Sequence, residues 1–509
     1  MTAVRRRAVL LAGACAVASP AVAACTNDPA ARPPVGPDPT RSTSTQETTV
    51  FDLSFTLESR YRPFELVAPA FVAVERSGAK LANSSGEDLS TYDEAPPAPF
   101  CAVEARVDGA DGRVDLGLAS PDGAVHLLAF HDPIAGRVGI EVRANGRTRL
   151  LRRRKVDLPA SFALAFALCE NRVTLLADTG DGWQPLLTER DKVAAALDLR
   201  QPDVLSGLRY AWGHRGGTGG LKAVTAGLFG MTGIRDQHLV QHADGTPYIR
   251  DSHAYFTATC AGLGFFTQAH WGVFRLNLAD PQRLEQVSQL YFARDGLLLG
   301  DHAGQVVRDE ADERWLVATS SWGDFEFDGV HVRHVVTDVD VLEGVHVLET
   351  EATNLPTEHS TWDPGMTLID GRWHVGFVES LSQEPFDFRP ALAAGPAGNA
   401  GIEAFDTTLE LIGSATELHQ TEGPIIAQVG GEWWFLASDG DDRHYPVFDL
   451  SMRRVGRLDA PYLTNIPHPQ LVPLEDGGWL IVTFDGTQYA EGVMGYGGHG
   501  DVLIMRSRE

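Results

Sequence analysis

Asp363-Pro364-Gly365-Met366-Thr367-Leu368, closed by the turn Asp370-Gly371, is one of five segments written in a single grammar. A polar or acidic residue leads, a short apolar strand follows, a turn reverses the chain, and a strongly apolar, aromatic strand returns. The other four are Asp236-Gln237-His238-Leu239-Val240 with Asp244-Gly245, His302-Ala303-Gly304-Gln305-Val306-Val307 with Asp309-Glu310, Glu422-Gly423-Pro424-Ile425-Ile426 with Gly430-Gly431, and His468-Pro469-Gln470-Leu471-Val472 with Asp476-Gly477. Leader and turn are seven or eight residues apart in every case, and successive leaders are 66, 61, 59 and 46 residues apart. Each interval holds a four-stranded antiparallel sheet with its loops, and a repeat of this period is the mark of radially arranged sheets. Residues 222–509 therefore read as a five-bladed β-propeller.

Working outward, residues 51–221 show short alternating stretches separated by Gly, Asp and Asn turns: Cys101–Val107, Val114–Leu118, Ala124–Phe130, Arg137–Val142, Phe162–Leu168 and Val173–Ala177. This is the pattern of a β-sandwich, lectin-like or purely structural. Only Asp191–Leu197 reads as helix. The basic run Arg149–Lys155 reads as a solvated strand edge, and Gly213–Gly220 as a linker, because no helix follows to make it a phosphate loop. The expected fold class is all-β, an N-terminal β-sandwich followed by a five-bladed β-propeller.

Residues 1–25 read as an export signal: Arg5-Arg6-Arg7, an apolar run from Ala8 to Ala18, then small residues up to Cys25. Val22-Ala23-Ala24-Cys25 is similar to a bacterial lipobox, which makes Cys25 the candidate lipidation site. Cleavage after Ala23 is the alternative, and both twin-arginine and Sec routes stay open. Residues 26–50, rich in Pro, Thr and Ser, cannot bury enough surface to fold and read as a tether. The expected location is outside the cytoplasm, as a cell-surface lipoprotein or a secreted protein, with membrane contact only through the anchor. Of the remaining cysteines, Cys101 and Cys169 are a candidate disulfide within the sandwich, and Cys260 is left alone.

The 509 residues are 43% hydrophobic and 22% charged, ordinary for a globular chain. Lys and Arg total 42 against 68 Asp and Glu, a net charge of −26 that repels phosphate backbones, so no nucleic-acid partner is expected. The chemistry lies in the leaders. In a propeller the innermost strands line one channel, so residues at one blade position converge on one rim. Asp236, His302, Asp363, Glu422 and His468 would place three carboxylates and two imidazoles there, a set that blade packing does not require.

Thr421-Glu422-Gly423-Pro424-Ile425-Ile426 with Gly430-Gly431-Glu432-Trp433-Trp434-Phe435-Leu436 resembles the acid-bearing segment of the five-bladed glycosidases of glycoside hydrolase family 43, the β-xylosidase, α-L-arabinofuranosidase and arabinanase group. Trp362-Asp363-Pro364-Gly365-Met366 is similar to that family's Asp-Pro segment, and Arg235-Asp236-Gln237-His238 stands where its first-blade base stands, without the following Pro. The second-blade signature is replaced by Gly300-Asp301-His302, which keeps a sister propeller family equally in view. The resemblance implies Glu422 as general acid, Asp363 as the residue that tunes it, Asp236 as general base, and His468 near the channel axis, where a structural calcium ion or a water is sometimes held. No cofactor is required. The implied partner is a polysaccharide or oligosaccharide with furanosidic or pentose linkages, of arabinan, arabinoxylan or cell-wall arabinogalactan type.

The carboxylates make chemical sense by themselves. Glycosidic cleavage with inversion needs one carboxylic acid to protonate the leaving oxygen and one carboxylate to activate water on the opposite face. Sugar faces stack on aromatic rings, so Trp271, Trp322, Trp362 and Tyr445 are candidate platforms, and His253 and His302 candidate hydroxyl partners. Asp439, Asp441 and Asp442 read as a solvated acidic loop. Two other classes stand beside the hydrolase: a non-catalytic carbohydrate-binding lipoprotein, and a sugar-transferring or phosphorolytic enzyme, for which only Arg443 and His444 offer a basic cluster.

Overall fold

A computed structural model describes residues 49–81, 89–217, 220–324, 329–383, 385–463, 466–490, 493 and 500–508. The export signal, Cys25 and most of the tether lie outside the described residues. The described residues form mainly strands, in two six-stranded sheets that make the sandwich and four further sheets that make five radial blades.

The sandwich is formed by one sheet in the order Trp183–Glu189, Arg172–Asp178, Ser161–Cys169, Phe100–Asp108, Leu221–Met231, Glu65–Ser77, facing a second in the order Leu89–Thr91, Arg209–Arg215, Arg113–Ala119, His126–Asp132, Arg137–Ala144, Arg147–Lys155. Val103, Phe166, Leu116, Ile140 and their neighbours fill the space between. Arg147–Lys155 is indeed an edge strand, with only Leu151 buried. Its Arg152 and Arg154 donate to the carbonyls of Thr188 and Leu186 at 2.6 and 3.0 Å, so the basic run clips one sheet edge to the other. Among the described residues of this region, helix is confined to Asp191–Ala194 and Pro202–Ser206, together with a short 3-10 turn at Gly78–Leu81.

Two expectations are corrected here. Gly213 lies within a strand, paired with Leu89 and Asp115, so the Gly-rich stretch starts in the sheet rather than in a linker. Cys101 and Cys169 are free buried thiols. Cys101 pairs with Leu168 and Cys169 with Phe100 on adjacent strands. Because side chains alternate along a strand, the two sulfurs point to opposite faces of the sheet and cannot be bridged.

The blades start with Ile234–Leu239, His302–Asp309, Ser360–Ile369, Thr421–Val429 and Gln470–Pro473 as their innermost strands. Blades four and five share one eight-stranded sheet, because Thr49–Tyr61 pairs antiparallel with Asp501–Ser507 and parallel with Arg454–Asp459. The first described strand is therefore the closure of the propeller, not the start of the sandwich as its position from residue 51 suggested. The sandwich is an insertion between this strand and blade one.

The inner strands carry a feature that decides where the leaders point. Four of them slip register at one place: between Arg235 and His238, His302 and Gln305, Trp362 and Gly365, and Glu422 and Ile425. Each slip is a β-bulge, and its second residue is left-handed: Asp236 at φ 53°, Ala303 at 62°, Asp363 at 52° and Gly423 at 62°. The true blade equivalence is thus Arg235, His302, Trp362, Glu422 at one position and Asp236, Ala303, Asp363, Gly423 at the next. The leaders do not occupy one position: Asp236 and Asp363 hold one, His302 and Glu422 its neighbour on the same rim.

Candidate active site

The bulges let residues from two strand positions face the same end of the channel. Asp236, Asp363 and His468 are 4, 5 and 2% exposed, and Glu422 is partly buried. His468 Nε2 lies 3.4 Å from Asp363 Oδ2 and 3.8 Å from Asp236 Oδ1, so the fifth-blade imidazole sits between the two aspartates. Its ring packs on Gly423, where any side chain would collide with it: an added Cβ would lie 2.3 Å from the ring. Gly423 is required twice, for its left-handed φ and for this contact.

Each carboxyl is held by a named donor. The Trp362 indole N–H donates to Glu422 Oε1 at 3.1 Å. The Gly423 amide donates to Asp363 Oδ2 at 3.2 Å. The Asp363 amide donates to Ser320 Oγ at 3.0 Å, and that hydroxyl donates to the Ala303 carbonyl at 2.6 Å, tying the bulges of blades two and three together. Arg235 Nε donates to Asp236 Oδ1 at 3.4 Å, while its guanidinium lies 4.8 Å from the Phe484 ring centre.

Burial and like charge set the protonation states. Glu422 is pushed up to about 7, first by burial and then by the Asp236 charge, against the pull of Arg235 and the Trp362 N–H. Asp363 is pushed well above the usual carboxylate range by burial and by Glu422 and Asp236. His468 is pushed down to about 4 by burial, so its imidazole is neutral near pH 7 and acts as a spacer rather than a counter-ion. A carboxyl titrating near 7 can give and retake a proton at physiological pH, which an ordinary surface glutamate cannot.

Beside Glu422 stands an aromatic wall. Trp322 stacks on Phe266 with centres 4.8 Å apart and meets Trp362 at 5.4 Å; Trp362 meets Phe388 at 5.6 Å. His302, fully buried, lies against Trp322 at 6.5 Å with its Nδ1 on the Gly300 carbonyl at 2.8 Å. Asp301, also fully buried, receives the Arg294 guanidinium at 2.7 and 3.0 Å and the Gly323 amide at 2.9 Å, which fixes the turn bearing Trp322. The sandwich braces this segment from behind. Gly300 N–H faces Glu170 Oε1 at 3.5 Å, and an added Cβ on Gly300 would lie 2.5 Å from the Phe100 ring.

Three candidate sugar contacts fall elsewhere. Trp271 is fully buried in the packing between blades one and two, among Val273, Phe292 and Val317. Tyr445 is fully buried in the core of blades four and five, its hydroxyl donating to the Pro461 carbonyl at 3.2 Å. His253 starts the second strand of blade one, opposite Asn277 and beside the Ile249–Arg250 hairpin, at the far end from Asp236; its Nδ1 contacts the Asp251 carbonyl at 2.7 Å. The acidic loop is also only partly solvated, since Asp439 is 1% exposed and accepts the Asp441 amide at 3.1 Å. Arg235 was missed. Its signal was its place directly before Asp236, but only the bulge shows that both neighbours turn toward the channel.

Asp363, Glu422 and His468 bring three ligand atoms within 4.8 Å of one another. Calcium takes six to eight oxygen ligands. This set offers one imidazole nitrogen and two carboxyls, short of the oxygen-rich shell that the calcium ion suggested by the resemblance for His468 takes. Asp439, Asp442 and His444 form a second such group, but His444 Nε2 meets the Arg454 guanidinium, a cation already in place.

No protein-family model and no curated protein sequence matches the chain. Among solved structures it is similar to levansucrase of Bacillus subtilis, at 10% identity over 53% of this chain and 82% of that one with a TM-score of 0.39. It is also similar to a GH43_1 enzyme from Xanthomonas citri, at 14% identity over 52% of this chain and 86% of that one with a TM-score of 0.36.

Proposed function

We propose that the chain is an exported glycoside hydrolase that cleaves furanosidic or pentose linkages of an arabinan-, arabinoxylan- or arabinogalactan-type polysaccharide with inversion of the anomeric centre. The observation that carries this reading is Glu422: a carboxyl held at about 7, bonded by an indole that belongs to an aromatic wall, and set beside two further acids. In the proposed reaction the substrate ring lies against the edge of the wall formed by Trp322 and Trp362, which are 5 and 2% exposed. Glu422 gives its proton to the leaving oxygen as the bond to the anomeric carbon lengthens, and positive charge spreads over that carbon and the ring oxygen. Asp236 takes a proton from a water that attacks the opposite face, so the sugar leaves with inverted configuration and the proton is returned to Glu422 through solvent. Asp363 stays protonated beside Glu422 and bonds the sugar; Arg235 holds Asp236 in place.

Of the two basic residues that phosphorolysis would need, Arg443 is engaged by the Leu463 carbonyl and His444 lies between Asp439 and Arg454, which favours water as the acceptor. Export and a lipid anchor at Cys25 are part of the proposal and follow from residues 1–25. The reading is tested by incubating the chain with arabinans, xylans and arabinogalactans and following reducing-sugar release. Release from a pentose polymer, abolished in Glu422→Gln, is the expected result. Binding of these polymers without release would favour the carbohydrate-binding alternative.

A further inference from the structure

The carboxylates occupy one end of the channel, and the five inner strands run from there to their turns at the other. At that second end the chain forms a cavity of about 130 Å³, spanned by blades one, four and five. Its walls include Gln241 and Asp244 of blade one, Trp433 of blade four, and Gln470 and Trp479 of blade five. A single buried water needs roughly 10–15 Å³, and a drug-sized ligand several hundred. The space therefore suits one small ring, not a chain.

The chemistry of the wall narrows the ligand further. Trp433 and Trp479 are both partly exposed, so their rings present apolar surface to the cavity, and Trp433 is held against Gly245. Gln470 is 1% exposed; its amide oxygen accepts the Leu239 N–H at 2.9 Å, and its amide nitrogen has no partner in the protein. A buried amide N–H left without a partner costs free energy, which an incoming acceptor recovers. Asp244 holds Thr246 through one carboxylate oxygen, at 2.9 and 2.7 Å, and is exposed at the rim as an acceptor for hydroxyl groups. None of the lining residues is Lys or Arg, so nothing there recruits an anion. Rings for an apolar face, an unmet donor and an acidic acceptor make a site for a neutral, polyhydroxylated ring.

We infer that this far mouth of the channel is a second carbohydrate site, binding one neutral monosaccharide unit between Trp433 and Trp479 with a hydroxyl on Gln470 Nε2. The choice of a pentose rests on the proposed function, whereas the site itself rests on the cavity and its walls. Titrating L-arabinose, D-xylose and, as a control, glycerol into the full chain carrying ¹⁵N-labelled tryptophan separates the two, with indole signals assigned through single Trp→Phe variants. The expected result is saturable movement of the Trp433 and Trp479 signals with a pentose and not with glycerol, and an apparent affinity at least about tenfold weaker in Gln470→Leu, the loss of one hydrogen bond. Trp433→Ala, at a partly exposed position, gives the same weakening should the buried Gln470 variant fail to fold. Movement of the Trp322 and Trp362 signals alone would overturn the second site and leave the proposed function standing. Movement of the Trp433 and Trp479 signals alone would keep the site and count against the catalytic reading. Unmoved Trp433 and Trp479 signals with every sugar, or equal movement with glycerol, would show that the mouth holds only water or any small polyol.

Discussion

Glu422 and Asp236 are assigned separable tasks, and leaving-group chemistry tells them apart. Glu422→Gln keeps the shape and removes the proton donor, so natural linkages should slow by about 10²–10⁴-fold while aryl glycosides with good leaving groups lose far less. Asp236→Asn removes activation of water and should disable both substrate types alike; steady-state rates on a matched pair of substrates check this. Arg235 favours the ionised form of Glu422. Its loss in Arg235→Gln should therefore move the alkaline limb of the pH–rate profile upward from about 7, in addition to lowering the rate. Stability gives a substrate-free check. The folded state holds the Glu422 proton more tightly than the unfolded chain, so ionisation destabilises the fold as pH rises from the unfolded value of about 4.5 through about 7, and the full cost is present above that. Glu422→Gln does not titrate, so its melting temperature should match that of the parent chain at pH 4 and exceed it at pH 8. The sequence singles out the acids because carboxyls at blade leaders have no packing role. Trp271 and Tyr445 stand beside Trp362 among its candidates, because an aromatic residue on a blade strand reads much the same whether it lies beside the acids or in the packing between blades.

The bulged inner strand is the element on which the site depends. A non-Gly residue in the left-handed region costs roughly 1–2 kcal/mol, and Asp236, Ala303 and Asp363 all sit there. At Asp236 and Asp363 the conformation turns a carboxyl into the channel; at Ala303 there is only a methyl group. Ala303→Gly should accordingly raise stability by up to about 1 kcal/mol, read from denaturant unfolding, whereas Asp363→Gly relieves the same strain but takes the acceptor from the Gly423 amide, so it should gain no stability and lose activity. Gly365 has a different constraint, since a Cβ there would lie 2.6 Å from the Pro424 carbonyl oxygen of the next inner strand. The repeat of leader and turn was legible from spacing. The one-residue offset between the Asp pair and the His302 and Glu422 pair was not, because a bulge inserts a residue without changing the hydrophobic pattern around it. The Cys101–Cys169 pairing failed for a related reason: spacing says nothing about which face of a sheet each sulfur occupies.

At the scale of the molecule, ring closure joins the two ends of the described chain. Phe55 is 3% exposed, packed in the core of blades four and five with Leu436, Leu503 and Met505. Phe55→Ala should cost about 3–5 kcal/mol, as for other buried aromatic truncations, and its effect should fall on the propeller although the residue precedes the sandwich in sequence. A pairing between residues this distant leaves no local trace, which is why the closure strand read as the start of the sandwich. The sandwich in turn backs the Gly300-Asp301-His302 segment through Phe100 and Glu170, so a domain outside the channel still shapes the rim that carries Trp322. The proposed hydrolysis is one reaction with one stereochemical outcome. Proton NMR of the first minutes of pentose-polymer hydrolysis by the full chain, before mutarotation, reads it directly: the released sugar should appear as the anomer opposite to that of the cleaved linkage. Release of the same anomer, or no release from any pentose polymer, would contradict the assignment of Asp236 as base and Glu422 as acid.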